Sequence, residues 1–302
     1  MDGRGLNLDI AGTVSEFEKD MKEFMIKKIL YKIIFRGKGL EFDSYRDYAP
    51  DDDARDIDWM ASKRANRTLV KQYIEERDLK IMFVVDVSEN MIFGSTEKLK
   101  CEYAAEVCAA LSHLIMVNGD KIGFVFFNSG ITKVVFPEAG KKQFNIFVDE
   151  LSDPLAYGGI SDLKSALNFL LDYLDVSISV VILVSDFISV RKDVAQTLDF
   201  LAKKFETMAI MIKDPLDKTL PDIRGEFVVE DSSSGQQLVI DPGVARRTYE
   251  KNALEQEKMV MEIFENSGAD MLKLMTNEGF SSLLAEFLKE RLEKGRYVMP
   301  KK

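Results

Sequence analysis

Two apolar runs that each end at an aspartate dominate the hydrophobic pattern of this chain. Ile81–Val85 ends at Asp86, and Ile178–Val184 is followed closely by Asp186. Runs of this kind, with no regular polar positions, are typical of strands buried on both faces of a parallel sheet. From Leu79 onward, strand patterns alternate with helical ones. This alternation predicts an α/β fold in which helices flank a mostly parallel sheet.

The pattern also predicts the other elements of the sheet region. A turn at Asn128–Gly130 indicates that the strand after it is antiparallel. Residues 225–241 read as a hairpin insertion. The predicted strands are Lys121–Phe127, Ile131–Phe136, Thr207–Ile212, Phe227–Val229, Gln237–Ile240 and Met271–Leu274. The predicted helices are Glu97–Val117, Gln143–Leu151, Leu163–Leu174, Val194–Phe205, Val244–Asn266 and Phe280–Leu292.

The N-terminal region is less regular and more charged. Val14–Phe35 has the apolar spacing of an amphipathic helix, which we expect to pack on its own domain rather than lie on a membrane. Gly37–Arg77 alternates acidic and basic residues, so it is either a lobe held by ion pairs or a polar docking surface. Within it, Trp59 is predicted to be a buried anchor. The expected division is therefore residues 1–78, residues 79–295 and a tail at 296–302.

Oxygen-bearing side chains cluster at the predicted strand ends. Asp86 is followed at alternate positions by Ser88 and Asn90, Ser161 follows a glycine pair, and Asp186 follows the second apolar run. The carboxyl ends of parallel strands are where ligands bind in open α/β sheets, and Mg²⁺ prefers oxygen donors. Turn formation and helix capping could explain each of these residues alone. Three oxygen-bearing loops that a parallel sheet would bring together favour a metal site over capping.

Composition removes several other classes of function. A net charge of −10 argues against nucleic acid as the main partner. The single histidine, His113, and the two cysteines, Cys101 and Cys108, do not suffice for zinc sites or histidine-dependent triads. The cysteines, seven apart in a helical pattern, are expected to be reduced. No phosphate-binding glycine loop occurs, which argues against the usual machinery of nucleotide hydrolysis. No apolar run has the length of a membrane span, and reduced cysteines are typical of a cytoplasmic protein, so we expect a cytoplasmic protein without a membrane span.

A phosphatase of the haloacid dehalogenase type is a further alternative, because it also uses an aspartate at a strand end. It needs a second aspartate two residues later as the general acid. Ser88 occupies that position here, and a serine hydroxyl cannot serve as the proton donor at neutral pH. A metal-dependent phosphohydrolase using Asp86 therefore ranks below a non-enzymatic function.

The site residues resemble the metal-ion-dependent adhesion site of von Willebrand factor A domains. Asp86, Ser88 and Asn90 match its Asp-x-Ser-x-Ser motif with an asparagine in the last position. Ser161 stands where that family has threonine, and Asp186 matches its second aspartate. The resemblance implies a Rossmann-like sheet and a Mg²⁺ or Mn²⁺ ion. It also implies that an aspartate or glutamate of a partner protein completes the coordination of the metal.

A second resemblance covers most of the chain. Gly37–Trp59 with Val70–Arg77 is similar to the signature of a prokaryotic family catalogued as a domain of unknown function, number fifty-eight. Members of that family look like partners of MoxR-type AAA+ ATPases, which implies a role in complex assembly or cofactor insertion. Within the signature, candidate protein-binding residues are Arg46, Asp52, Asp53, Arg55 and Asp58.

Together, these observations predict a non-enzymatic adaptor that binds a partner protein through Mg²⁺. The expected partner is a MoxR-type ATPase or its client. A scaffold of the same fold that has lost its metal is the leading alternative.

Overall fold

A six-stranded sheet with one antiparallel edge lies at the centre of the fold. The computed structural model describes residues 5–23, 41–49, 57–74, 79–222, 225, 227–230 and 237–293. In spatial order the strands of this sheet are the tenth, seventh, sixth, third, fourth and fifth of the chain. Only the pairing of the fourth with the fifth is antiparallel, as the turn at Asn128–Gly130 predicts. The predicted mostly parallel α/β fold is therefore confirmed.

The strand bounds agree with the hydrophobic pattern to within a few residues. The strands are β1 (Glu41–Asp47), β2 (Leu69–Ile74), β3 (Lys80–Asp86), β4 (Lys121–Phe127), β5 (Ile131–Ala139), β6 (Val180–Ser185), β7 (Glu206–Lys213), β8 (Phe227–Glu230), β9 (Gln237–Ile240) and β10 (Asp270–Met275). Strands β8 and β9 form the predicted hairpin as a separate two-stranded sheet. Strand β1, which pairs antiparallel with β2, was not predicted.

Helices cover both faces of the central sheet. They are α1 (Ile10–Glu23), α2 (Trp59–Ala65), α3 (Lys100–Val117), α4 (Lys141–Leu151), α5 (Leu163–Tyr173), α6 (Ala195–Lys204), α7 (Pro242–Ser267) and α8 (Ser281–Glu293). One core lies between the sheet and α1, α3, α4 and α8, where Phe83, Phe124 and Phe147 are fully buried. The other core lies under α5, α6 and α7. Burial on both faces explains why the strands read as continuous apolar runs.

The N-terminal helix packs against the sheet domain. Phe17 and Met21 of α1 are buried in the same core as α3 and α8. This agrees with the prediction that the helix packs on protein rather than on a membrane. The predicted continuation of the helix over residues 24–35 lies outside the described residues, as does the tail at 296–302. No helix in the described part of the chain has the length and apolar content that a membrane span requires.

Trp59 contradicts one expectation from the sequence. It begins α2 and its side chain is 69% exposed, so the prediction of a buried anchor is wrong. Helix α2 has only seven residues and none of them is buried. A helix this short, beside the two-stranded sheet β1–β2, offers too little surface to cover an indole ring. The exposure of Trp59 therefore follows from its place on a helix that buries no residue, and its residue type does not decide it.

Candidate functional site

Asp86 and Asp186 lie at the same edge of the sheet, on neighbouring strands. β3 and β6 are parallel partners with Val85 paired to Val184. Asp86 is the last residue of β3, and Asp186 follows the last residue of β6. Both aspartates are almost completely buried, at 0% and 1% exposure. The strand ends thus bring together two carboxylates that are 100 residues apart in the chain.

The Asp86 carboxylate accepts hydrogen bonds on both of its oxygens. Oδ2 accepts from the hydroxyls of Ser161 and Ser185, each at 2.7 Å. Oδ1 accepts from the backbone N–H of Ser88 at 2.9 Å. The sequence predicted Ser88 and Ser161 but missed Ser185. The parallel register contains the signal for it, because Ser185 is the next residue after the Val85–Val184 pair.

Burial raises the pKa of Asp86, and the negative charge of Asp186 raises it further. The Ser185 hydroxyl and both the hydroxyl and the amide of Ser88 lower the pKa, but they do not outweigh these causes. Within the described part of the chain, Asp86 forms no ion pair with a lysine or arginine. A buried carboxylate without a cation favours either a proton or a metal ion.

The Ser88 hydroxyl lies close enough to Asp86 to lower the pKa of that carboxylate, but it forms no hydrogen bond of good geometry within the described residues. Its Oγ is buried and has no hydrogen-bond partner among the described residues. Most buried polar atoms are hydrogen-bonded, so an exception requires a reason, and an absent ion is one. The hydroxyl belongs to the residue whose amide binds Asp86, so both groups lie on the same turn.

The glycine pair positions Ser161 against β3. Gly159 has a φ of +78°, which favours glycine, and a Cβ there would lie 3.2 Å from Asn128 Nδ2. The Gly158 N–H donates to the Val87 carbonyl at 2.7 Å, and the Glu89 N–H donates to the Gly159 carbonyl at 2.8 Å. These backbone bonds hold the loop before α5 beside the turn after β3, which brings Ser161 to Asp86.

Asp186 has a partner that the sequence analysis missed. Lys100 Nζ lies 2.6 Å from Asp186 Oδ2 and 3.4 Å from Asp217 Oδ2. The lysine is only 1% exposed. Burial lowers its pKa, but the charges of Asp186 and Asp217 together outweigh burial and raise it. Lys100 is the first residue of α3, where the helix dipole disfavours a cation. This unfavourable position is the feature of the sequence that indicates a nearby negative partner for Lys100.

The Asn90 side chain contacts the loop after Asp186. The Asn90 side-chain amide donates to Ser189 Oγ at 3.3 Å. Around the site, Phe93, Ile160 and Ile188 have exposed side chains. All five predicted site residues therefore lie at one edge, with Ser88 and Ser161 nearest to Asp86 by contact.

The candidate protein-binding residues of the N-terminal lobe are only partly described. Arg46 is exposed on β1. The Asp58 carboxylate caps α2 by accepting from the amides of Met60 and Ala61, and it also accepts from the Tyr45 hydroxyl at 2.9 Å. This gives Asp58 a structural role. Asp52, Asp53 and Arg55 lie outside the described residues.

The donors at this edge fit a hard divalent cation. Among the described residues, no group of three or more His, Cys, Asp or Glu side chains is arranged to hold a metal. Any metal here would therefore depend on the hydroxyls of Ser88 and Ser161 beside Asp86. Oxygen donors of this kind suit Mg²⁺ or Mn²⁺ and do not suit zinc.

The fold and site define an α/β domain with a polar edge at the carboxyl ends of its parallel strands. A family model described as protein of unknown function DUF58 matches residues 44–259. The chain belongs to this family. It is 28% identical to the uncharacterized protein Rv1480 of Mycobacterium tuberculosis over 259 residues, which cover 84% of this chain and 80% of the relative.

Solved structures agree with the fold. The hypothetical protein BatB from Bacteroides thetaiotaomicron matches at a TM-score of 0.51 and 13% identity, covering 71% of this chain and 99% of BatB. A von Willebrand factor type A protein from Catenulispora acidiphila matches at a TM-score of 0.43 and 12% identity, covering 75% of this chain and 45% of that protein. The matched structures thus include von Willebrand factor A domains.

Proposed function

We propose that this protein is a non-enzymatic adaptor that binds a partner protein through a divalent cation at Asp86. The observation that carries the proposal is the buried Ser88 hydroxyl beside the buried Asp86 carboxylate. Within the described residues, the hydroxyl forms no hydrogen bond and the carboxylate forms no ion pair. Asp86, Ser88 and Ser161 would hold the metal, with Asn90 and Asp186 at the same edge. When bound, Mg²⁺ or Mn²⁺ would attract a carboxylate of the partner.

The surroundings of the site favour binding over catalysis. The exposed side chains of Phe93, Ile160 and Ile188 form an apolar rim. Exposed apolar side chains grouped at a site are a feature of surfaces that contact another protein. Ser88 stands where a phosphohydrolase of the aspartate type would need its general acid, so turnover of phosphate esters is not expected.

The identity of the partner rests on the family resemblance. Members of this family look like partners of MoxR-type AAA+ ATPases, so such an ATPase or its client is the partner that we propose. The N-terminal lobe with exposed Arg46 and Trp59 would provide a second contact surface. A cytoplasmic location is part of the same proposal.

A pull-down with the immobilised protein tests this function. We expect a MoxR-type ATPase of the same organism to be retained in Mg²⁺, lost in excess chelator, and lost by Asp86→Ala in Mg²⁺. Ser112→Ala is a matched control, because Ser112 is equally buried but its hydroxyl donates to the Ala109 carbonyl, remote from the strand ends. Failure to retain the ATPase in Mg²⁺ would contradict the proposed partner.

A metal-free scaffold is the second candidate, and the Lys100–Asp186 ion pair is the observation that favours it. The lysine already supplies a positive charge to one of the two carboxylates. Retention of the partner in excess chelator, unaffected by Asp86→Ala, would select this candidate over the first.

A further inference from the structure

Lys100 connects three segments at the site's edge. It begins α3, and its ammonium group contacts Asp186 after β6 and Asp217 after β7. The ring of Phe93 lies 5.6 Å from the same ammonium group. A buried lysine with two carboxylates and an aromatic ring around it is a fixed cation rather than a mobile surface charge.

A further buried aspartate, Asp214, holds Lys100 and its contacts in place. The Asp214 carboxylate accepts from the Ser95 amide at 2.7 Å and from the Ser95 hydroxyl at 2.5 Å, which anchors the loop before α3. The Asp214 amide in turn donates to Asp217 Oδ2 at 2.9 Å. Asp214 therefore connects the loop that contains Ser95 to the turn that contains Asp217. These hydrogen bonds hold Lys100 close to its two carboxylates.

The position of Lys100 changes the charge balance of the proposed metal site. Two carboxylates, Asp86 and Asp186, would together balance a divalent cation. The ammonium group of Lys100 contacts Asp186 and is shared with Asp217, and the buried Lys213 adds a second positive charge near the same two carboxylates. A metal that approached Asp186 would either share this carboxylate with the ammonium group or displace it, and both cost free energy through repulsion between like charges.

We infer that Lys100 is a tethered cation that competes with the metal for Asp186 and thereby sets the metal affinity of the site. This inference rests on the proposed function, because it concerns the same site. Its consequence is that removal of the lysine charge strengthens metal binding, although removal of a buried charge normally damages a protein.

The test is calorimetric titration of Mn²⁺ into the full-length wild type and Lys100→Met. We expect the variant to bind Mn²⁺ at least about tenfold more tightly, because a like charge beside Asp186 is gone. The melting temperature of the variant should also rise more on addition of Mn²⁺ than that of the wild type. Lys98→Met is the matched control, because Lys98 pairs with Glu106 instead, and its affinity should stay within about twofold of wild type.

Three outcomes separate this inference from the proposed function. Mn²⁺ binding by Lys100→Met alone would support the inference and contradict metal binding by the natural chain. Equal affinities in wild type and variant would overturn the inference and leave the proposed function intact. Absence of binding in both would overturn both.

Two further variants test the inference if Lys100→Met does not fold. Lys100→Gln retains a hydrogen-bond donor without the charge and should likewise strengthen binding. Asp217→Asn leaves the ammonium group with Asp186 as its remaining carboxylate contact. We therefore expect it to weaken Mn²⁺ binding, and unchanged or tighter binding would contradict the role of Lys100.

Discussion

Asp86 and Asp186 lie at the carboxyl ends of adjacent strands, yet their surroundings differ. Asp86 accepts hydrogen bonds from neutral groups, the hydroxyls of Ser161 and Ser185 and the Ser88 amide. Asp186 is paired with the ammonium group of Lys100. One carboxylate is thus prepared for a cation from outside, whereas the other has a cation supplied by the chain. The comparison shows that a motif residue acquires its role from what the fold brings beside it.

The largest expected effect is on stability, and it separates the two aspartates. Asp186→Asn leaves the buried Lys100 with only the longer contact to Asp217, so we expect a loss of about 3 kcal/mol in the free energy of unfolding. Asp86→Asn removes no partner of a buried cation and should cost less than about 1 kcal/mol. Urea unfolding of the two variants measures both values. Equal losses would show that the difference between the carboxylates has no energetic consequence.

The pH dependence of stability provides a second, smaller distinction. The folded protein raises the pKa of Asp86 above its ordinary value of 3.8 through burial and the charge of Asp186. The folded state therefore holds this proton more tightly than the unfolded chain does. As pH rises above 3.8 towards the raised pKa, wild type should lose stability relative to Asp86→Asn.

Urea unfolding of wild type and Asp86→Asn across this pH range measures the difference directly, since the other titrating groups are common to both proteins. A difference that stays constant with pH, or that grows in favour of wild type as pH rises, would contradict the assigned environment of Asp86.

The smallest expected effect on stability belongs to Ser88. Because its hydroxyl has no hydrogen-bond partner among the described residues, Ser88→Ala should change the free energy of unfolding by less than about 0.5 kcal/mol. Ser112→Ala removes a hydroxyl that does donate a hydrogen bond, so it should cost about 1 kcal/mol. A larger loss for Ser88→Ala than for Ser112→Ala would mean that Ser88 is structural.

The sequence predicts the sheet and the two aspartates at its edge, but it does not predict the lysine beside them. Continuous apolar runs mark β3 and β6, and parallel pairing then requires Asp86 and Asp186 to share an edge. Lys100 could not be predicted in the same way, because its contact with Asp186 depends on how α3 begins relative to two distant loops. Trp59 shows the same limit, since residue type alone did not indicate that α2 buries nothing. Local pattern predicts elements, whereas partners of individual charges depend on packing.

Titration of Mg²⁺ into wild type and Ser88→Ala tests the central claim most directly, because this substitution alters a proposed ligand with little expected effect on the fold. We predict saturable binding to wild type and at least about tenfold weaker binding to Ser88→Ala, with Ser112→Ala equal to wild type. Equal binding by all three proteins, or no binding to wild type, would contradict a metal site at Asp86.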